Sequence, residues 1–130
     1  MKQGEKLRGF RNLEVYQFAF KTAVEIFNIT RNFPKEEIYS LTDQIRRSSR
    51  SVAANIAEAW GKRMYGAHFI SKLTDSYAEA NETTTWLEFA KEHKYLTQKQ
   101  YDYFFENYDH ICRMLFNMMR NPNRFLINFK

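Results

Sequence analysis

The chain has 130 residues, 44% hydrophobic and 17% aromatic, with 20 basic and 15 acidic side chains and a net charge of +5. That length and apolar content suit one domain with a real core and exclude a disordered chain. With only 4 glycines and 2 prolines the chain must run in long uninterrupted elements, which disfavours a β-sandwich, and a single cysteine excludes an internal disulfide.

Residues 1–9 read as a polar, basic arm. From Leu13 to Arg31, Leu13, Tyr16, Phe20, Ala23, Val24 and Phe27 recur at helical spacing, with Glu14, Lys21, Glu25 and Asn28 opposite. Val15, Phe18 and Ile26 lie off this stripe, so the helix is expected to be covered on more than one side. Phe33-Pro34 ends it, since the residue before proline is driven out of the α region.

The second helix is expected over Leu41–Gly61, with Ser40 as its N-cap, Asp43 in the first turn and Gly61 as the C′ residue. Leu41, Ile45, Ser48, Val52, Ile56 and Ala59 fall on one face. A second, wholly polar stripe follows Gln44, Ser51, Asn55, Glu58 and Lys62, and Arg46, Arg47 and Arg50 project elsewhere. The third helix, about Tyr65–Lys94, is expected to face inward with Phe69, Leu73, Tyr77, Ala80, Thr84 and Leu87, widened by Trp86 and Phe89. Its acids, Asp75, Glu79, Glu82, Glu88 and Glu92, make it the electrostatic partner of the second helix. Thr97 and Gln100 form a capping box for a fourth helix carrying Tyr101, Phe104, Phe105, Tyr108, Ile111, Cys112, Leu115, Met118 and Met119, and Asn121-Pro122-Asn123 stops it. Four such helices with short connections predict an all-α, antiparallel up-and-down four-helix bundle over residues 10–120, followed by a tail at 121–130.

The central stretch carries a resemblance. Phe33, Pro34 and Glu37, then Leu41, Thr42, Gln44, Ile45, Arg46 and Arg47, then Ser51, Asn55, Ile56, Ala57 and Glu58, resemble the four-helix-bundle proteins called 23S rRNA intervening-sequence proteins, also labelled S23 ribosomal proteins. The opening FRNLEVYQFAF is similar to that family's first helix, and Glu82, Thr85, Leu87, Ala90, Tyr95 and Leu96 are similar to its third-helix pattern. The chain departs from it at Ala59, where a glycine is frequent, and at Ala78-Glu79, where Gly-Ser is frequent. The resemblance implies a small non-enzymatic bundle, often a homopentamer, and a related member serves as the nucleic-acid-binding accessory subunit of a retroelement reverse transcriptase.

Basic charge is segregated. Lys2, Lys6, Arg8 and Arg11 stand against Glu5, five cations of residues 42–63 stand against Asp43 and Glu58, and Arg120, Arg124 and Lys130 follow Met119 with no acid. This is an electrostatic footprint for a polyanion. Arg46, Arg47, Arg50, Lys62 and Arg63 are therefore the expected RNA or DNA contacts, with either Arg46 or Arg47 held inside the fold because adjacent helical positions diverge by ~100°. Gln44, Ser51, Asn55, Glu58 and Glu82 are expected to cross-link helices or subunits. The alternative is an adaptor whose basic face docks an acidic protein partner or a polymerase.

Catalysis, a metal and a cofactor are not expected. Glu106 and His110 have no matching acid–histidine pair, and no glycine-rich phosphate loop or nucleophile elbow is present. Cys112 reads as a buried thiol. No secretory or membrane-spanning apolar run occurs, so a cytoplasmic protein without membrane contact is expected.

Overall fold

The computed structural model describes residues 9–127, so the predicted arm, Gly9 excepted, and the last three residues lie outside the described residues. Four α-helices follow one another: α1 (Glu14–Thr30), α2 (Leu41–Gly61), α3 (Gly66–Glu92) and α4 (Gln98–Arg120). Short 3₁₀ turns at Gly9–Asn12, Lys35–Glu37 and Pro122–Arg124 flank them, and no strand occurs among the described residues. Each helix packs on its sequence neighbours and α4 closes on α1, giving a four-helix bundle whose broadest seam is α2–α3 and slightest α1–α4.

Heptad-like spacing sets the seams. In α3 the buried residues are Phe69, Leu73, Ser76, Ala80, Thr83, Leu87 and Ala90, alternating steps of four and three. In α4 they are Phe104, Tyr108, Ile111, Leu115 and Met118, with the same alternation. The predicted face of α2 is buried throughout, and Thr42, Ser49 and Ala53 add a second buried line.

Two predicted faces are corrected. The inward line of α3 passes through Ser76 and Thr83 rather than Tyr77 and Thr84, which are only partly buried. The inward line of α1 is Val15, Ala19, Thr22, Ala23 and Ile26, whereas Phe20 and Val24 stay 55% and 46% exposed. In both helices the smaller residues won the seam, because they let neighbouring backbones approach and their hydroxyls find acceptors there.

Those hydroxyls tie α2 to α3. Ser76 Oγ donates to the Val52 carbonyl at 2.8 Å, and the Thr83 hydroxyl hydrogen-bonds Ser48 Oγ at 2.8 Å and the Glu79 carbonyl at 2.8 Å. All three side chains are fully buried, so leaving any hydroxyl unpaired would be costly.

Capping differs from the sequence expectation at two ends. The Ser40 side chain makes no cap bond; Glu37 Oε1 instead accepts from Ser40 Oγ at 2.6 Å and from the Leu41 N–H at 3.3 Å. Its Oε2 accepts from the Tyr95 hydroxyl at 2.9 Å, which pins the start of α2 to the α3–α4 connection. Gly61 closes α2 without left-handed backbone and Lys62 is its C-cap; among the described residues left-handed backbone occurs at Gly9 and at Lys94, just beyond α3. The Thr97–Gln100 capping box forms as expected, with both of its bonds present.

These contacts can be tested in two ways. Thr83→Val removes about 1–2 kcal/mol of unfolding free energy by urea titration, and combining it with Ser48→Ala costs less than the sum of the two single changes. Additive losses would contradict a shared hydrogen bond. The second test concerns pH. The bonds from Ser40 and Tyr95 lower the Glu37 pKa below the ordinary 4.5, so its contribution is complete above that value and is lost as pH falls through the lowered one. The stability difference between wild type and Glu37→Gln is thus constant near neutrality and shrinks below pH 4.5; a difference that grows on acidification would show the sign to be wrong.

Candidate nucleic-acid interface

The five predicted cations do not form one patch. Arg46, Arg47 and Arg50 lie in the first half of α2, whereas Lys62 and Arg63 follow its end, roughly 18 Å further along the axis at 1.5 Å per residue.

Arg46 is held inward. Its Nε donates to Thr30 Oγ1 at 2.8 Å and its Nη2 to the Phe27 carbonyl at 3.4 Å, so the guanidinium caps the carbonyl end of α1. It also lies 4.3 Å from the Phe27 ring centroid. Arg47 points away: its Nη2 donates to Gln44 Oε1 at 3.0 Å and pairs with Glu82 on α3 at 3.4 Å. One of the adjacent arginines thus serves the fold and the other faces outward, as their angular separation requires.

Phe27 organises the remaining charge. Arg31, Arg46 and Arg50 approach its ring at 5.0, 4.3 and 5.5 Å. None of the three guanidiniums forms an ion pair with a carboxylate among the described residues. Burial lowers the Arg46 pKa, and the like charges of Arg50 and Arg31 lower it further, although a guanidinium remains protonated under any physiological condition. Arg31 was absent from the sequence expectation. Its signal was available: it follows Phe27 by four residues, the interval that places two side chains on one helical face. Phe27, Asp43, Arg46, Arg47, Arg50, Ser51 and Ala54 line an open cleft of about 490 Å³ beside this ring.

Arg63 has a different task. Its guanidinium stacks 3.7 Å from the Trp60 ring, its Nε donates to the Trp60 carbonyl at 2.7 Å and its Nη1 reaches the Phe125 carbonyl at 3.5 Å. The Ile127 N–H donates back to the Arg63 carbonyl at 3.0 Å. Arg63 therefore latches the C-terminal segment onto the end of α2, and burial lowers its pKa. Lys62, next to it, is exposed.

The polar stripe divides in the same way. Gln44 and Glu82 both hold Arg47, and Glu58 pairs with Lys72 at 3.5 Å. Ser51 and Asn55 are half-buried yet form no side-chain hydrogen bond among the described residues. On α3, Glu79 Oε1 is enclosed and unpartnered among the described residues, and burial together with neighbouring Glu82 raises the Glu79 pKa. Among the described residues no group of three His, Cys, Asp or Glu side chains is placed to hold a metal ion, and no helix is long and apolar enough to cross a membrane. Cys112 is partly buried, which pushes its thiol up to about 11 and keeps it in the unreactive protonated form.

Comparison with known proteins places this bundle. The crystal structure of a protein of unknown function from the S23 ribosomal protein family of Bacteroides thetaiotaomicron VPI-5482 superposes with a TM-score of 0.74 at 33% identity, covering 82% of this chain and 95% of that one. No match was found among curated proteins. Residues 11–117 match the family described as 23S rRNA-intervening sequence protein, and the chain belongs to that family.

Proposed function

We propose that this protein is a non-enzymatic, cytoplasmic bundle that assembles into a homo-oligomer, a pentamer by family resemblance, and binds RNA or DNA through the arginine cleft of α2. The observation that carries the reading is the convergence of Arg31, Arg46 and Arg50 on Phe27 with no ion-paired carboxylate among the described residues. Like charges held together repel, and an arriving polyanion relieves that repulsion while releasing its own counterions. Arg47 and Arg50 are exposed and positioned to meet phosphates first. Repetition of the cleft around an assembly would convert weak single sites into useful avidity.

Support for assembly comes from the outer side of α2 and α3. Among the described residues, the half-buried Ser51 and Asn55 side chains form no hydrogen bond, and the enclosed Glu79 oxygen has only the Glu82 carboxyl group beside it. A facing subunit would supply the partners that such groups normally find. A second reading, a protein adaptor or polymerase accessory subunit, is favoured by a different surface. Tyr39 is 94% exposed beside Phe89 and His93, and the neighbouring Trp86 indole N–H is enclosed without an acceptor among the described residues. Aromatic residues of this kind anchor protein interfaces.

The test is size-exclusion chromatography with light scattering, with and without a mixed RNA pool at two salt concentrations. Wild type is expected to shift with RNA at low salt and to lose the shift as salt rises. Arg47→Glu combined with Arg50→Glu abolishes the shift while free mass and melting temperature stay close to wild type, because exposed ion pairs contribute little. Persistent RNA binding by this variant would remove the cleft from consideration. Asn55→Leu is expected to reduce the assembled mass; unchanged mass and melting would refute the role given to the stripe.

A further inference from the structure

The arginine cleft continues into an apolar groove. Phe27, Arg50 and Ala54 belong to both, and the groove between α1 and α2 extends past Val24 and Phe20 to Tyr16 with a volume of about 470 Å³. Phe20 and Val24 are the exposed large apolar side chains of its wall, and the Phe20 and Tyr16 rings lie 6.0 Å apart, tilted by 36°. One end of this continuous surface is thus cationic, and the rest offers aromatic and aliphatic faces without charge. Among the described residues, the only acid lining the cleft is Asp43.

A ligand occupying both parts must carry negative charge along one edge and flat, weakly polar faces along the other. Duplex nucleic acid presents phosphate outward but keeps its base faces stacked inside, so it could touch the arginines and leave the groove empty. An unpaired strand exposes both groups at once, and base–aromatic stacking is the usual complement to cationic backbone contacts in single-strand binders. The chain's own N-terminal segment is an unsuitable occupant, because Lys2, Lys6 and Arg8 would add charge of the same sign.

We infer that the cleft and groove together form a site for single-stranded nucleic acid, with phosphates on Arg47 and Arg50 and a base against Phe20 and Tyr16. The inference rests on the polyanion reading above and adds its strand form.

The test is fluorescence anisotropy of the full chain with labelled oligothymidylate, oligouridylate and a mixed-sequence duplex of equal length, accompanied by light scattering. Wild type is expected to bind both single strands about ten-fold more tightly than the duplex, the scale of one base–aromatic stack. Phe20→Ala should lose about that factor for single strands while keeping its duplex affinity and assembly mass, and Phe20→Trp should retain single-strand binding. Phe20 projects from the fold, so neither change disturbs the core, and melting curves verify this. Equal affinity for strand and duplex, unaffected by Phe20→Ala, would overturn the stacking site and leave the arginine reading standing. A fall in assembly mass for Phe20→Ala would overturn it in favour of a subunit interface at the groove. Failure to bind any of the probes would overturn both readings.

Discussion

The seam between α2 and α3 is the constraint on which the remaining structure depends. Ser48, Ser76 and Thr83 stand where larger apolar residues would hold the helices apart, and their hydroxyls bond across the gap. Close approach fixes the rotation of α2 about its own axis. Once Ile45, Ser48, Val52 and Ile56 face α3 and the core, Arg46 and Arg50 are left the α1 side and solvent, and Arg47 the outer edge toward Glu82 of α3. The position of the charge is therefore a consequence of how the core packs.

That rotation also explains why Arg46 belongs to the fold. Its bonds to Thr30 and to the Phe27 carbonyl satisfy acceptors at the C-terminal end of α1, where a cation is favoured by the helix dipole. The same contact draws a third guanidinium toward Arg31 and Arg50, so a structural cap concentrates charge that the chain does not neutralise. Fold and candidate site share this residue. Arg47 and Arg50 then supply the accessible part of the cleft, while Arg63 ties down the C-terminal segment at the other end of the helix.

Much of this architecture is legible in the amino-acid sequence. Helix order, the Thr97 capping box, the buried face of α2 and the divergence of Arg46 from Arg47 all follow from local spacing. Several residues of the motif that carries the family resemblance serve packing and capping: Phe33, Leu41, Ile45 and Ile56 are buried, and Glu37 joins α2 to Tyr95. What periodicity misjudges is the choice between adjacent faces. In α1, hydrophobicity favours Phe20 and Val24, but the tight seam accepts Ala19, Thr22 and Ala23; in α3, Ser76 and Thr83 look polar until Val52 and Ser48 appear opposite them. Ser40 is the obvious cap by residue type, yet the longer Glu37 carboxylate reaches both Ser40 and the Leu41 N–H. The role of Arg63 depends on Phe125, a contact across the chain that helical periodicity cannot reveal.

The most direct measurement is an NMR titration of the arginine Nε–Hε signals with a short single-stranded oligonucleotide. Arg50 and Arg47 are expected to shift together and saturably, Arg31 and Arg46 less, and Arg63, held between Trp60 and Phe125, to stay in place. Movement of Arg63 with Arg47 and Arg50 unperturbed would contradict the division of labour along α2.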